Sequence, residues 1–153
     1  MNSSRLLAAL AAVTITTSTL LARIGETEQE CTARYGEPFE KLPNNSVLYR
    51  KSDLGLVITF FNGKADSIAY RKIVKGQQLS ENEVEILLNS NSGGVPWKKH
   101  AGAPVNREWL TENGELVATY VTHERLLMVV TKDYLARRKA KIEAKEVQNL
   151  EGF

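Results

Sequence analysis

Residues 56–70 read LVITFFNGKADSIAY, and this stretch decides the fold of the chain. Its first six residues are aliphatic, β-branched or aromatic, which is typical of a strand. Asn62-Gly63 follows as a strong turn signal, and the return strand is predicted from Lys64 to Val74. The centre of the sequence therefore predicts an antiparallel β-hairpin.

Two registers are open for this hairpin. A two-residue loop at Asn62-Gly63 would pair Phe60 with Ala65 and divide the large apolar side chains between the two faces. A three-residue loop with Gly63 as a bulge would pair Phe60 with Lys64 and gather those side chains on one face. Because a slip of one residue moves every side chain to the other face, burial selects the register, and we favour the bulged loop.

A helix is predicted on either side of the hairpin, because the sequence has two capping boxes. In this motif a Ser or Thr is followed three residues later by Glu, and each side chain satisfies a free backbone N–H of the other. The two boxes are Thr27 with Glu30 and Ser80 with Glu83. They predict helices over 28–35 and from 81 to about 89. Gly36 and Pro38 are expected to end the first helix.

The second half repeats the strand pattern. We predict strands over 108–111 and 115–121, in addition to a strand over 47–51 before the hairpin. Leu126–Val130 is an uninterrupted apolar run, which predicts a central strand buried on both faces. Residues 132–150 lack Gly and Pro and predict a helix. The fold class is therefore α+β: an antiparallel sheet of about five to six strands with helices on one face and a C-terminal helix.

The amino terminus has the layout of a secretory signal peptide. Residues 1–22 read MNSSRLLAALAAVTITTSTLLA, with Arg5 as the single charge and an apolar segment after it. Cleavage after Ala22 would leave Arg23 as the first mature residue. The alternative is an uncleaved anchor, but threonines interrupt the apolar segment. We expect a signal peptide at 1–22, one α+β domain at 23–153 with a basic helix at about 132–150, and a secreted or periplasmic location in a bacterium.

Composition limits the class of protein. The chain has 153 residues, 42% of them hydrophobic, and a net charge of +2. These values exclude a disordered or multi-span membrane protein, and the charge is too small to indicate nucleic-acid binding. One cysteine excludes an intrachain disulfide. We expect no cofactor, no nucleic-acid partner and no integral membrane segment once the signal peptide is removed. The expected partner is a protein or another component of the cell envelope.

Motifs that carry chemistry are incomplete. His123-Glu124 begins a zinc-protease pattern, but Leu127 stands where the second histidine is needed. Cys31 lies inside a predicted helix, where a thiol is usually inert packing rather than a nucleophile for His100 or His123. We therefore predict no catalytic and no metal-binding residues. A small enzyme without a recognisable motif, built from the histidines, Glu124 and the basic cluster, stays as an alternative.

Two clusters could bind something. Trp97–His100 combines an aromatic ring with basic side chains on a predicted loop, so a small-ligand site is one interpretation, and Trp97 and Trp109 capping the core is the other. The residues 132–141 carry the basic cluster, whose cations are Lys132, Arg137, Arg138, Lys139 and Lys141. This helix could dock on an acidic partner or an anionic membrane, or simply be solvated. Asn44-Asn45-Ser46 is a glycosylation sequon in a eukaryotic host.

Residues 25–68 resemble a known pattern. It consists of Gly25-x-Thr27, a short helix ending Tyr35-Gly36-x-Pro38, then Phe60-x-x-Gly63-Lys64 and Ile68. This resembles the small lipoprotein subunit of the outer-membrane β-barrel assembly machinery and the related module of β-lactamase-inhibitor protein. The resemblance implies helices packed on a small antiparallel sheet, and protein binding without catalysis. The lipid-bearing cysteine of the lipoprotein is missing here, and the resemblance assigns no binding residues.

Overall fold

The computed structural model describes residues 23–100 and 106–150, so the predicted signal peptide at 1–22 lies outside the described residues. The described residues form three helices, α1 Glu28–Tyr35, α2 Glu81–Asn91 and α3 Lys132–Leu150. The strands are β1 Glu40–Leu42, β2 Ser46–Lys51, β3 Leu54–Phe61, β4 Lys64–Lys72, β5 Trp97–His100, β6 Asn106–Thr111, β7 Leu116–Val121 and β8 Leu126–Thr131. No helix in this part of the chain has the length and apolar character that crossing a membrane needs.

The strands form one open antiparallel sheet in the order β1-β2-β3-β4-β8-β7-β6-β5. The α+β class and the C-terminal helix are confirmed, but the expected five to six strands become eight. The two strands that the sequence missed, β1 and β5, are the two edges. Each is short, and neither Glu-Lys-Leu nor Trp-Lys-Lys-His has a strand pattern of its own, so their pairing comes from the neighbouring strand.

The chain is built from two halves with the same order of elements. Each half is a helix followed by four antiparallel strands, and the halves meet where β4 pairs with β8. This central pairing joins Ile68 to Val129 and Tyr70 to Leu127. Because the last strands of the halves pair antiparallel, the halves are related by an approximate two-fold axis perpendicular to the sheet. Both α1 and α2 therefore lie on the same face.

The observed hairpin has one feature of each of the two predicted registers. Asn62 and Gly63 form a two-residue turn, and Phe60 pairs with Ala65. The register then shifts at Asp66, so that Ile58 pairs with Ile68. The bulge is real, but it lies in the return strand and not at Gly63, so the favoured pairing of Phe60 with Lys64 is wrong. Its physical reason holds, because the shift places the large apolar side chains on one face.

The core lies between that face and the two helices. Strands β2, β3, β4, β7 and β8 contribute the side chains of Val47, Tyr49, Leu56, Ile58, Ile68, Tyr70, Ala118, Tyr120, Leu127 and Val129. Helix α1 contributes Cys31 and Tyr35, and α2 contributes Val84, Leu87 and Leu88. Both predicted capping boxes are present, and the predicted end of α1 is confirmed. Helix α2 runs to Asn91, two residues further than predicted.

Asn91 joins α2 to the rest of the core. Its side-chain amide donates to the Tyr70 hydroxyl at 2.9 Å and to the Leu87 carbonyl at 2.8 Å, and its oxygen accepts from the backbone N–H of Ile24 at 3.2 Å. Asn91 is 4% exposed, so these bonds satisfy a polar group that burial would otherwise penalise. The second half of the chain is thereby tied to the first half.

Lys72 makes a second link between β4 and α2. Its ammonium group contacts the Glu83 carboxylate and lies 2.6 Å from Asp53 Oδ2. Glu83 also accepts from the backbone N–H of Ser80 at 2.8 Å, as part of the capping box. The hydrogen bond from Lys72 is the main cause that holds the pKa of Glu83 below its usual value, and the bond from Ser80 adds to it.

We predict that Glu83→Gln destabilises the protein near neutral pH by about 1 kcal/mol, because the charged partner of Lys72 and part of the cap are lost. A carboxyl with a lowered pKa stabilises the fold above its usual titration range, and this stabilisation is lost as the pH falls through the lowered pKa. Urea unfolding across the acid range should therefore show the variant and the wild type converging. Glu85→Gln, at an exposed position of the same helix, is the control and should leave the free energy of unfolding unchanged.

Candidate interaction surface

The face of the sheet opposite α1 and α2 is called the open face. Its side chains form three rows that cross the strands. The first row contains Ser46, Thr59, Ser67, Val130, Val117 and Leu110. The middle row contains Leu48, Val57, Ala69, Met128, Thr119 and Glu108. The third row contains Arg50, Gly55, Arg71, Leu126, Val121 and Asn106.

Half of the residues in these three rows are apolar, and all of these except Val130 are at least partly exposed. In β8, Leu127 and Val129 point into the core and are fully buried, whereas Leu126 and Met128 on the open face are half-buried. The prediction that this strand is central is confirmed, since β8 lies between β4 and β7. The prediction that it is buried on both faces is wrong, because no described element covers Leu126 and Met128. Within β8, Val130, where the strand runs into α3, is the residue of the open face that is buried.

The side chains of the open face project least from the sheet on β3 and β4, because most of them are small there. They are Gly55, Val57, Thr59, Ser67 and Ala69. The middle row continues this low strip with Leu48 on one side and Met128 on the other. We call the resulting depression the trough; its floor is formed by Leu48, Val57, Ala69 and Met128 in the middle row and by Ser46 and Thr59 in the first.

Helix α3 stands along the first-row margin of the trough. Tyr134, Arg137, Arg138, Lys141, Ile142 and Lys145 recur at helical spacing and line a groove of about 720 Å³. The opposite side of this groove is formed by Ser46, Thr59 and Phe61. The acidic residues of the C-terminal half of α3, Glu143 and Glu146, belong to a different side of the helix. Most cations of α3 therefore face the trough.

Asp66 anchors α3 to the sheet. The Arg137 guanidinium forms an ion pair with Asp66 Oδ2 and lies 3.7 Å from the centre of the Phe61 ring. Asp66 is the residue that the bulge adds to β4, so the bulge that aligns the core also brings this carboxylate to α3. Burial raises the pKa of Asp66, and the charge of Arg137 opposes that rise.

Two arginines mark the third-row margin of the trough. Arg50 and Arg71 lie on the strands on either side of Gly55, which is buried with the Ile73 side chain close to it. They line a groove of about 370 Å³ together with Leu48 and Ile73. The Arg50 guanidinium stacks over the Phe39 ring at 3.4 Å, which holds it at this margin.

Trp97 and Trp109 lie on neighbouring strands at one edge of the sheet and not on a loop. Trp97–His100 is edge strand β5, which corrects the prediction of a loop. Trp97 and Trp109 are partly buried against the core, and Trp97 Nε1 donates to the Leu88 carbonyl at 2.8 Å. The interpretation of both rings as covers for the edge of the core is therefore confirmed.

The candidate groups for an enzyme are not brought together. His100 is exposed on β5, whereas His123 is exposed in the turn between β7 and β8, where it lies 3.4 Å from Glu124. Cys31 is fully buried, and burial raises the pKa of its thiol to about 12, as expected of an inert packing residue. Across the described ranges, no group of three or more His, Cys, Asp and Glu side chains is placed to hold a metal ion.

The apolar sequences of β7 and β8 indicate the open face, but only together with the fold. Leu126–Val130 is apolar at every position and Leu116–Val121 at every position except Thr119, so both faces of β7 and β8 carry apolar side chains. Such a run is typical of a strand covered on both sides. It predicts burial, and finding one face uncovered required the tertiary structure.

Comparison with known proteins leaves the family open. No family model matches the chain, and no curated protein matches it. Among solved structures, the chain is similar to a cysteine-rich secretory protein from Staphylococcus aureus, with a TM-score of 0.44 and 10% sequence identity. The match covers 74% of this chain and 46% of that protein, so the chain spans less than half of that protein's length.

We predict that Arg137→Ala loosens α3 and destabilises the protein by about 2 kcal/mol near neutral pH, because the Asp66 carboxylate stays buried without its partner. The pKa of Asp66 is raised in the folded state, so its ionisation lowers the free energy of unfolding as the pH rises through that pKa. The variant should therefore regain part of the lost stability in acid. Hydrogen exchange of the α3 amides and chemical unfolding measure both effects, and equal exchange in Lys139→Ala and Arg137→Ala would contradict the assignment.

Proposed function

We propose that this chain is an exported, non-catalytic module that binds a protein of the cell envelope through the open face. The observation that carries the proposal is the partly exposed apolar row formed by Leu48, Val57, Ala69 and Met128. Residues of this kind are usually covered, and contiguous uncovered apolar surface marks interaction sites in soluble proteins.

The shape of the open face favours a protein over a small molecule. Eight strands at a spacing of about 4.8 Å make the sheet roughly 34 Å wide. Small ligands bind in concave pockets that enclose most of their surface. A broad face with apolar residues in the middle and polar residues such as Glu108 and Asn106 towards one end resembles the core and rim of a protein interface instead.

The resemblance of residues 25–68 to the assembly-machinery lipoprotein and to β-lactamase-inhibitor protein points the same way. It implies an antiparallel sheet with helices on it and an activity of protein binding. The α+β sheet with α1 and α2 on one face is compatible with that expectation. We carry over this class of activity as part of the proposal, with no partner and no binding residue taken from either protein.

Export is the second part of the proposal. Among the described residues, the first ones after a cut at Ala22 are fastened to the domain by hydrogen bonds. Ile24 is bonded to Asn91, and Gly25 donates to the Ala65 carbonyl at 2.7 Å. The backbone N–H of Arg23 donates to the Glu26 carboxylate at 3.4 Å. After cleavage this nitrogen would be a charged amine beside the same carboxylate, which would strengthen the contact.

We predict that the protein isolated from its own organism begins at or close to Arg23 and is found outside the cytoplasm. Intact-mass spectrometry of the purified protein, with cell fractionation, measures both. Replacing Leu6–Ala9 with a segment that contains Asp should block export and leave the full-length mass. A full-length chain in the cytoplasm of the wild-type cell would contradict the proposal.

We predict that the open face contacts the partner. A benzophenone amino acid at Thr119, in the middle row, should crosslink to a defined protein in the living organism, whereas the same group at Glu85 on α2 should not. Leu110→Lys and Met128→Lys should each weaken the crosslink at least about fivefold, since each places a charge in an apolar contact. Ile86→Lys, an exposed apolar residue on α2 that is 46% accessible, is the matched control and should have no effect.

Equal crosslinking from Thr119 and Glu85, or equal loss in the Ile86 variant, would show that the open face is not the binding surface. Crosslinking of Thr119 to a second copy of the chain would replace the proposed partner with self-association. Circular dichroism of each variant separates a lost contact from a lost fold.

A further inference from the structure

We propose that the trough binds an acidic segment of the partner protein, one with an apolar stripe flanked by carboxylates on both sides. This inference rests on the proposed function and names the chemistry of the partner. It follows from the distribution of charge around the trough, whose middle row is apolar from Leu48 to Met128 and whose two margins are both cationic.

The first margin is the side of α3 that faces the trough. Arg138, Lys141 and Lys145 are exposed, and no carboxylate among the described residues forms an ion pair with any of them. Arg137 beside them is already neutralised by Asp66. Among the other exposed cations of the described residues, Lys132 is paired with Glu115 and Lys98 with Glu112, whereas Lys75, Lys99 and Arg125 form no ion pair. Three unpaired cations on one side of a single helix nevertheless make this margin cationic.

The second margin carries Arg50 and Arg71. Both are exposed, and neither forms an ion pair with a carboxylate of the described residues. Phe39 stacks against Arg50, which reduces the number of rotamers that binding would have to restrict. The two arginines line the same groove beside Ile73, and a carboxylate bound in that groove could accept from either guanidinium group.

The dimensions suit one element of secondary structure. Residues two apart in a strand are separated by about 7 Å, so the first and third rows are roughly 14 Å apart. An α-helix with its side chains is about 10–12 Å across, and it would rest on Val57 and Ala69 with its edges facing the two margins. Carboxylates at those edges would meet Arg138 and Lys141 on one side and Arg71 on the other.

A flat anionic membrane fits this shape less well. A membrane-binding surface presents its apolar residues outermost, so that they enter the lipid. Here the apolar residues form the floor, while the long cationic side chains and α3 stand above them. A protruding acidic segment reaches that floor, whereas a planar bilayer would be held away from it by α3.

The test uses the mature chain and three synthetic helical peptides of equal length with the same leucine stripe. The stripe is flanked by Glu in the first peptide, by Gln in the second and by Lys in the third. Fluorescence anisotropy should show the Glu peptide binding at least about tenfold more tightly than the Gln peptide, and no binding of the Lys peptide. The affinity for the Glu peptide should fall as the salt concentration rises from about 50 to 500 mM.

Charge reversal locates the site. Two double variants should each lower the affinity for the Glu peptide at least about tenfold. They are Arg138→Glu with Lys141→Glu, and Arg50→Glu with Arg71→Glu. Lys139→Glu with Lys99→Glu makes the same change in net charge away from the trough and is the control. Arg50→Gln with Arg71→Gln replaces the second variant if that chain fails to fold, and a loss of about fivefold is then expected.

Several results would overturn the inference. They are equal affinity for the Glu and Gln peptides, an equal loss in the control variant, or phosphatidylglycerol vesicles binding more tightly than the Glu peptide and competing for the same cations. Thr119 could crosslink to a partner whose binding is insensitive to charge reversal at both margins. In that case the inference of an acidic segment is wrong, while the proposal that the open face binds a protein still holds. If Thr119 crosslinks to nothing and the Glu peptide does not bind, the proposed function fails as well.

Discussion

The pairing of β4 with β8 is the interaction on which the rest of the structure depends. It joins two four-stranded halves into one sheet and aligns Ile68 with Val129 and Tyr70 with Leu127. Since these strands are the last of each half, both preceding helices fall on one face, where they share a single core. The same geometry leaves the other face without a helix from either half. Core and open face are therefore two consequences of one antiparallel contact.

The bulge at Asp66 connects the packing of the core to the shape of the open face. Without the extra residue, the large side chains of β4 would point to the other face of the sheet from those of β3. Neither face would then be apolar enough to hold the helices. The added residue carries a carboxylate, and that carboxylate holds Arg137 at the start of α3. One local irregularity thus sets the hairpin register and positions the helix that borders the trough. Bulges are known to redirect side chains in this way near functional surfaces.

Charge and shape on the open face act together in the proposed interaction. The half-buried apolar floor supplies contact area, while the cations at the two margins supply orientation and speed of association. Long arginine and lysine side chains at the rim cost little to leave exposed, so the free protein tolerates them without a partner. An uncovered apolar floor is costlier in solution, and cationic margins also discourage neighbouring copies from stacking on it, because like charges would meet.

Local sequence determined the elements with strong local signals. The capping boxes at Thr27 and Ser80, the turn at Asn62-Gly63 and the C-terminal helix depend on contacts within a few residues, so the amino-acid order alone predicts them. The edge strands β1 and β5, the position of the bulge and the uncovered face of β8 depend on which strand lies beside which, and only the tertiary structure decided them. An apolar run such as Leu126–Val130 has the same sequence pattern whether or not a second layer covers it. Hydrophobicity shows that burial of these side chains is favourable, and it does not show whether the fold buries them. For the same reason, the sequence alone does not show that the cations of α3 border the open face, because the contact of Arg137 with Asp66 joins residues that are far apart in the chain.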